Sequence, residues 1–151
     1  MMRKVFIFLA LSAILLLAAC QGSGAASGPA IEVEEAWGRP SPMVADAAAF
    51  YATILNRGNQ DDRLLGADSP ACGTIEMHES YMMDNGAMGM RPVEGGAISV
   101  PAGEQVELKP GGLHLMCLQK QSEINAGDHI PLTLHFENAG DIQVKVEIKE
   151  P

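Results

Sequence analysis

Histidine and methionine are concentrated between residues 77 and 116, which hold two of the four histidines and six of the nine methionines. These residues form three short groups: Met77-His78 with Met82-Met83, then Met88-Gly89-Met90, and finally His114-Leu115-Met116. A thioether is a soft ligand without charge, and a neutral imidazole also binds soft metals. The set therefore predicts a site for a monovalent ion such as Cu(I).

Two other functions fit parts of the same pattern. Methionine is a common filler of hydrophobic cores and sticky surfaces, so a metal-free interaction module is one alternative. The second is a cupredoxin-type electron-transfer protein that uses Cys117 with the histidines and a methionine. The sequence lacks a cysteine followed within a few residues by histidine and methionine in that order. Cu(I) binding is therefore favoured over both.

Each group lies in sequence that alternates as a β-strand does. Around the first group, the alternation directs Met77 inward and His78 to the polar face. The turn signal Asp84-Asn85-Gly86 then predicts a hairpin, which returns Met88 and Met90 toward His78.

The third group lies on its own strand, where alternate residues share a face. His114 and Met116 form one face, and Leu115 and Cys117 belong to the other. Neighbouring strand ends are then enough to bring the three groups together.

The rest of the chain supplies more short strands. About eight or nine strands, with turn signals every eight to twelve residues and no helical stripe, predict an all-β sandwich. We expect one domain over residues 31–151, in which Trp37 belongs to the core. Residues 132–148 are predicted to form a closing hairpin.

The first residues have the pattern of a secretion signal. A basic start, an apolar run and a small-residue ending predict a signal peptide over residues 1–19. The ending before Cys20 resembles a bacterial lipobox, so Cys20 is expected to be lipidated; an ordinary signal cut near Ala19 is the alternative. Residues 20–30 then form a flexible tether. The expected location is extracytoplasmic and lipid-anchored to a membrane.

Charge and motifs argue against two classes of function. The formal net charge is −9, which disfavours nucleic acid as a partner. Motifs of the GxSxG, HExxH and phosphate-loop types do not occur, so we do not expect an enzyme.

Four segments together resemble the PCu(A)C family of extracytoplasmic copper chaperones. They are AWGRPSP, LNRGNQDDRLLGADSPACGTIEMHE, MGMRPVEGGAISVPAGEQVELKPGGLHLM and IPLTLHFENAG. The resemblance covers roughly residues 31–148 and implies a cupredoxin-like Greek-key β-sandwich. It also implies a Cu(I) cargo that is delivered to the dinuclear copper centre of cytochrome c oxidase. The implied protein partner is an oxidase subunit or another thiol chaperone.

The resemblance also implies a ligand set of two histidines and two methionines near the surface. The matching positions are His78, Met90, His114 and Met116. Other hairpin methionines lie close enough to compete for the Met90 position, and Met88 is the second candidate.

The remaining ligand-type residues are given other roles. Once Cys20 is lipidated, Cys72 and Cys117 are left in an oxidising compartment, which favours a disulfide bond between them. The alternative is that Cys117 binds copper, although strand parity places it on the face opposite His114. His129 and His135 are expected to be solvated.

Overall fold

The computed structural model describes residues 28–41 and 44–150. These residues form ten strands, with a 3₁₀ turn at Glu94–Gly96. The strands are β1 (Ile31–Pro40), β2 (Ala47–Asn56), β3 (Asp62–Asp68), β4 (Cys72–Met82), β5 (Met88–Pro92), β6 (Ile98–Val100), β7 (Gln105–Leu108), β8 (Leu113–Lys120), β9 (His129–Phe136) and β10 (Gly140–Ile148). Within the described ranges, no helix has the length and apolar character needed to cross a membrane.

Neighbouring strands follow the order β5-β4-β8-β7-β2-β1-β10-β9-β3-β6, and β8 also pairs with β2. Strands β3 and β4 are far apart in this order and still contact each other, so the sheet folds over itself into two layers. The predicted all-β sandwich is confirmed, with ten strands in place of eight or nine. Hairpin β9–β10 closes the domain as predicted.

The main core lies between the layers, and β2 is buried on both of its faces. Phe50 and Ile54 point into the main core. Ala49 and Tyr51 lie on the other face of β2, where they form a second, smaller apolar cluster with Met116 of β8. A strand that is covered on both sides has a continuous apolar sequence, which explains the alanine-rich run before Phe50.

A β-bulge in β1 decides which way Trp37 points. The pairing of β1 with β2 shifts register between Glu34 and Trp37, and Glu35 there has a positive φ of 51°. The extra residue reverses the alternation, so Trp37 leaves the face of Val33 and joins the smaller cluster. Trp37 is therefore half-buried beside Tyr51 and does not belong to the main core.

Two residues before β1 are hydrogen-bonded to the folded body. The backbone N–H of Gly28 donates to the side chain of Asn59, and that of Ala30 donates to the side chain of Asn56. The last residues of the predicted tether are thus bonded to the folded body. The predicted signal peptide, Cys20 and the rest of the tether lie outside the described residues.

A disulfide bond joins Cys72, the first residue of β4, to Cys117 of β8, with a Cα–Cα distance of 5.4 Å. Cys117 is fully buried in the main core, on the side of β8 opposite Met116. In this arrangement its sulfur is not free to bind copper. The bond fixes β4 against β8, which are the strands that carry His78 and His114.

Reduction of this disulfide is expected to destabilise the domain. The bond closes a loop with a sequence separation of 45. Opening a loop of this size should lower the free energy of unfolding by about 2–5 kcal/mol. Denaturant unfolding with and without reductant, in a Cys20→Ala background, measures the difference. Free alkylation of both thiols before reduction would show that the bond is absent in solution.

Candidate metal centre

The register of β4 against β8 places two histidines opposite each other. His78 pairs with His114, and Glu76, two residues earlier in β4, pairs with Met116. Directly paired residues, and residues two apart on one strand, share a face of the sheet. All four side chains therefore lie on the face that points away from the main core.

The hairpin adds methionines to the same face. Across β4 from His78 lies Pro92 of β5, while Met90 pairs with Ser80 and Met88 pairs with Met82. Along β5, Met90 is thus two residues from Pro92, the partner of His78, and Met88 is four residues from it. Register alone places Met90 nearer the histidines.

Met90, His114 and Met116 line one cavity of about 160 Å³. Its other described walls are Arg39, Pro40, Ser41, Ala49, Tyr51, Ser80, Pro110 and Gly111. Met88 is not part of this lining. The ring of His78 lies beside the cavity, with its centroid 5.8 Å from that of His114 and its plane nearly perpendicular. Two imidazoles and two thioethers thus gather on the face of β4, β5 and β8 that points away from the main core.

His78 has one ring nitrogen in use and one without a partner. Its Nε2–H donates to the Glu76 carboxylate at 2.8 Å, because a carboxylate can only accept. In the neutral ring the lone pair is then on Nδ1, which is buried and has no hydrogen-bond partner among the described residues. A buried polar atom without a partner is costly, and a bound cation would satisfy it. A carboxylate behind a histidine is a common support for a metal ligand.

His114 is held in the complementary form. Its Nδ1–H donates to the carbonyl oxygen of Gly112 at 3.0 Å, which leaves Nε2 as the lone-pair nitrogen. Burial lowers the pKa of His114 below its ordinary value; the hydrogen bond to Gly112 opposes this shift and the nearby His78 adds to it. The side chain is therefore kept neutral, which is the form that can bind a metal.

The two halves of the site differ in how firmly they are held. Met116 is buried in the cluster with Tyr51. The ring centroid of Tyr51 is 4.5 Å from that of Trp37 and 6.4 Å from that of His114. Met90 is exposed on the hairpin. One wall of the site is thus packed in place, and the other is open to solvent.

The donor set suits a soft ion. Among the described residues, no three histidine, cysteine, aspartate or glutamate side chains are arranged to hold a metal ion. An ion bound here would depend on methionine sulfur, which hard ions such as Ca²⁺ and Mg²⁺ do not favour. The arrangement can therefore hold Cu(I) or a similar monovalent soft ion.

The two other histidines lie elsewhere. His129 is the exposed first residue of β9, and His135 bridges Asp68 and Asp141 at 2.8 Å and 2.7 Å. Hydrogen bonds to Asp141 and Asp68 raise the pKa of His135 above its ordinary value. The sequence predicted a solvated His135, whereas the structure pairs its ring with two carboxylates.

Sequence reasoning missed two groups that orient the imidazoles. Glu76 could have been found, because a Glu-x-His spacing on a strand places the carboxylate and the ring on one face. The carbonyl of Gly112 left no signal, since any residue supplies a carbonyl and only the fold directs it at His114.

Comparison with known proteins finds a matching family model and similar proteins along most of the described chain. The family model described as "Putative lipoprotein LpqE-like" matches residues 31–148. The "Putative lipoprotein Lxx21020" of Leifsonia xyli subsp. xyli is 30% identical over 120 residues, which cover 80% of this chain and 70% of that protein.

Several solved structures share the fold, and two of them contain copper according to their descriptions. The copper-bound PCuAC domain from PmoF2 superimposes with a TM-score of 0.66 at 24% identity, over 83% of this chain and 97% of that domain. The solution structure of CuI-DR1885 from Deinococcus radiodurans gives a TM-score of 0.58 at 23% identity, over 87% of this chain and 85% of that protein. At this identity the likeness establishes a common β-sandwich.

Proposed function

The chain belongs to the LpqE-like lipoprotein family, and we propose that it is an extracytoplasmic chaperone that carries Cu(I). The observation that carries the proposal is the buried Nδ1 of His78, which has no hydrogen-bond partner within residues 28–41 and 44–150 and lies beside a cavity lined by His114 and two thioethers. A copper-bound PCuAC domain and CuI-DR1885 have the same fold, which supports this cargo.

The proposed ligands are His78 through Nδ1, His114 through Nε2, and the sulfurs of Met90 and Met116. All four are neutral, so they stabilise a monovalent soft ion better than Cu(II), which prefers harder donors. Met90 is preferred to Met88 because it lines the cavity with the two β8 residues.

The same donor set makes the ion transferable. A site without thiolate holds Cu(I) less firmly than a cysteine-bearing acceptor would, so transfer to such an acceptor is downhill. Met90 is exposed, so an incoming ligand could replace this thioether first. The proposed acceptor is the dinuclear copper centre of cytochrome c oxidase or another thiol chaperone.

An electron-transfer role is less well supported. A blue copper site needs a cysteine thiolate. Cys117, the cysteine nearest to the histidines in sequence, is bonded to Cys72 and points into the main core. A cupredoxin-type centre at His114 would therefore require both a reduced disulfide and a reversed strand face.

We further propose that residues 1–19 are a signal peptide and that Cys20 is acylated, so that a short tether holds the domain at a membrane. The lipoprotein description of the family supports this. Replacing Cys20 with alanine should move the chain from the membrane fraction to the soluble fraction, which immunoblotting of the two fractions measures. A variant that stays fully in the membrane fraction would contradict the anchor.

Substitutions on β4, β5 and β8 test the ligand set. Met116→Leu keeps approximate volume and removes the sulfur, so unfolding free energy should change by less than about 1.5 kcal/mol while Cu(I) affinity falls sharply. Met90→Leu should weaken binding more than Met88→Leu does. Glu76→Gln should cost about 10–100-fold in affinity, because it removes the carboxylate that orients His78.

A competition titration against a Cu(I) chelator measures these affinities, and Met77→Leu is the matched control because Met77 packs against the main core.

Acidification should release the ion as the imidazoles take up protons. The lowered pKa of His114 moves this release to a pH below the ordinary titration range of histidine. If Met116→Leu and His114→Ala both bind Cu(I) like the parent, the site is elsewhere.

A further inference from the structure

The β4–β5 hairpin exposes more large apolar side chains than any other described element. Met82, Met88 and Met90 are 66%, 53% and 49% exposed, and Tyr81 is exposed beside them. Only two other large hydrophobic side chains in the described residues are exposed: Val44, between β1 and β2, and Leu65 in β3. A cluster of exposed apolar groups of this kind usually marks a binding site.

The exposed methionines share one face of the hairpin. Met82 and Met88 are direct cross-strand partners, the last pair before the turn, and Met90 is the next residue on that face. Side chains of a directly opposed pair start about 4.5–5.5 Å apart at Cβ. Two unbranched methionine side chains starting from that distance can bring both sulfurs to one ion.

The opposite face of the hairpin is packed in a way that holds these methionines in place. The ring of Tyr81 lies over Gly89, where an added Cβ would be 2.8 Å from a ring atom. Arg91 stacks on that ring at 5.0 Å and donates from Nε to Glu79 at 2.7 Å. Gly89 is thus required by Tyr81, and Met88 and Met90 on either side of it project to the other face. The thioethers are presented on a stiffened ribbon.

We propose that Met82 and Met88 form a second and weaker site for a soft monovalent metal ion at the hairpin tip, and that Met90 completes this site only while the central site is empty. The inference rests on the proposed function, because Met90 also lines the cavity with His114 and Met116. An ion held at the tip exchanges its thioether ligands one at a time, keeping Met90 while the histidine nitrogens replace Met82 and Met88. The exchange transfers neither electrons nor protons.

The chemistry of the tip favours a metal ion over a protein partner. Three of the four exposed apolar side chains on the hairpin are thioethers, and all three lie on the face that leads to the cavity. Thioethers select soft ions such as Cu(I) and Ag(I). The net charge of −9 raises the local concentration of any cation.

Methionine methyl NMR tests this site directly. The full-length chain in detergent, labelled at the methionine methyl groups, is titrated with Ag(I) alone. We expect the first equivalent to shift the methyl signals of Met90 and Met116, and a second equivalent to shift those of Met82 and Met88. Unchanged Met82 and Met88 signals at excess Ag(I) would overturn the proposal and leave the hairpin as a surface for a protein partner.

Variants separate this site from the central one. Met82→Leu/Met88→Leu should lower the bound Ag(I) from two equivalents to one. Met83→Leu, a matched change in the turn, should keep two. In His114→Ala the shifts of Met82 and Met88 should persist, even if the central site were lost or had never existed. Two equivalents bound by the double variant, or tip shifts that vanish in His114→Ala, would show that the tip is not an independent site.

Discussion

The pairing of β4 with β8 is the constraint on which the site depends. It places His78 opposite His114, and the bond between Cys72 and Cys117 fixes the two strands on the core side. A slip of one residue would turn every side chain of one strand to the other face, so that one imidazole would enter the core. The disulfide and the buried Leu115 make that slip costly, because both belong to the main core.

The hydrogen bonds around the imidazoles suit the proposed metal site. One nitrogen of each ring donates to a fixed acceptor, Glu76 for His78 and Gly112 for His114, and the other nitrogen has no hydrogen-bond partner in the part of the chain that the structure describes. Nδ1 of His78 has no partner among the described residues, and an unpaired buried polar group costs about 1–3 kcal/mol. An ion at the proposed site would relieve this cost. The packed wall at Met116 and the open wall at Met90 suit an ion that must be both held and released.

Much of this arrangement could be predicted from local sequence. Alternation gave the strands, the Asp84-Asn85-Gly86 turn gave the hairpin, and parity separated His114 from Cys117. The packing of Trp37 against the smaller cluster was not predicted. The bulge at Glu35 has no clear sequence signature, and it reverses the alternation of faces in the residues that follow it. The pairing of His78 with His114 also required the fold, since register between strands far apart in sequence is set by the whole core. The Glu-x-His spacing is a sequence signal for the role of Glu76, whereas the role of the Gly112 carbonyl follows only from the fold.

X-ray absorption of the copper-loaded chain tests the central claim most directly, because it counts the atoms bound to the metal and reports its oxidation state. The account predicts Cu(I) with two sulfur neighbours from methionine and two nitrogen neighbours from histidine. A spectrum with only nitrogen and oxygen neighbours, or with copper in the divalent state, would contradict a carrier built from His78, Met90, His114 and Met116.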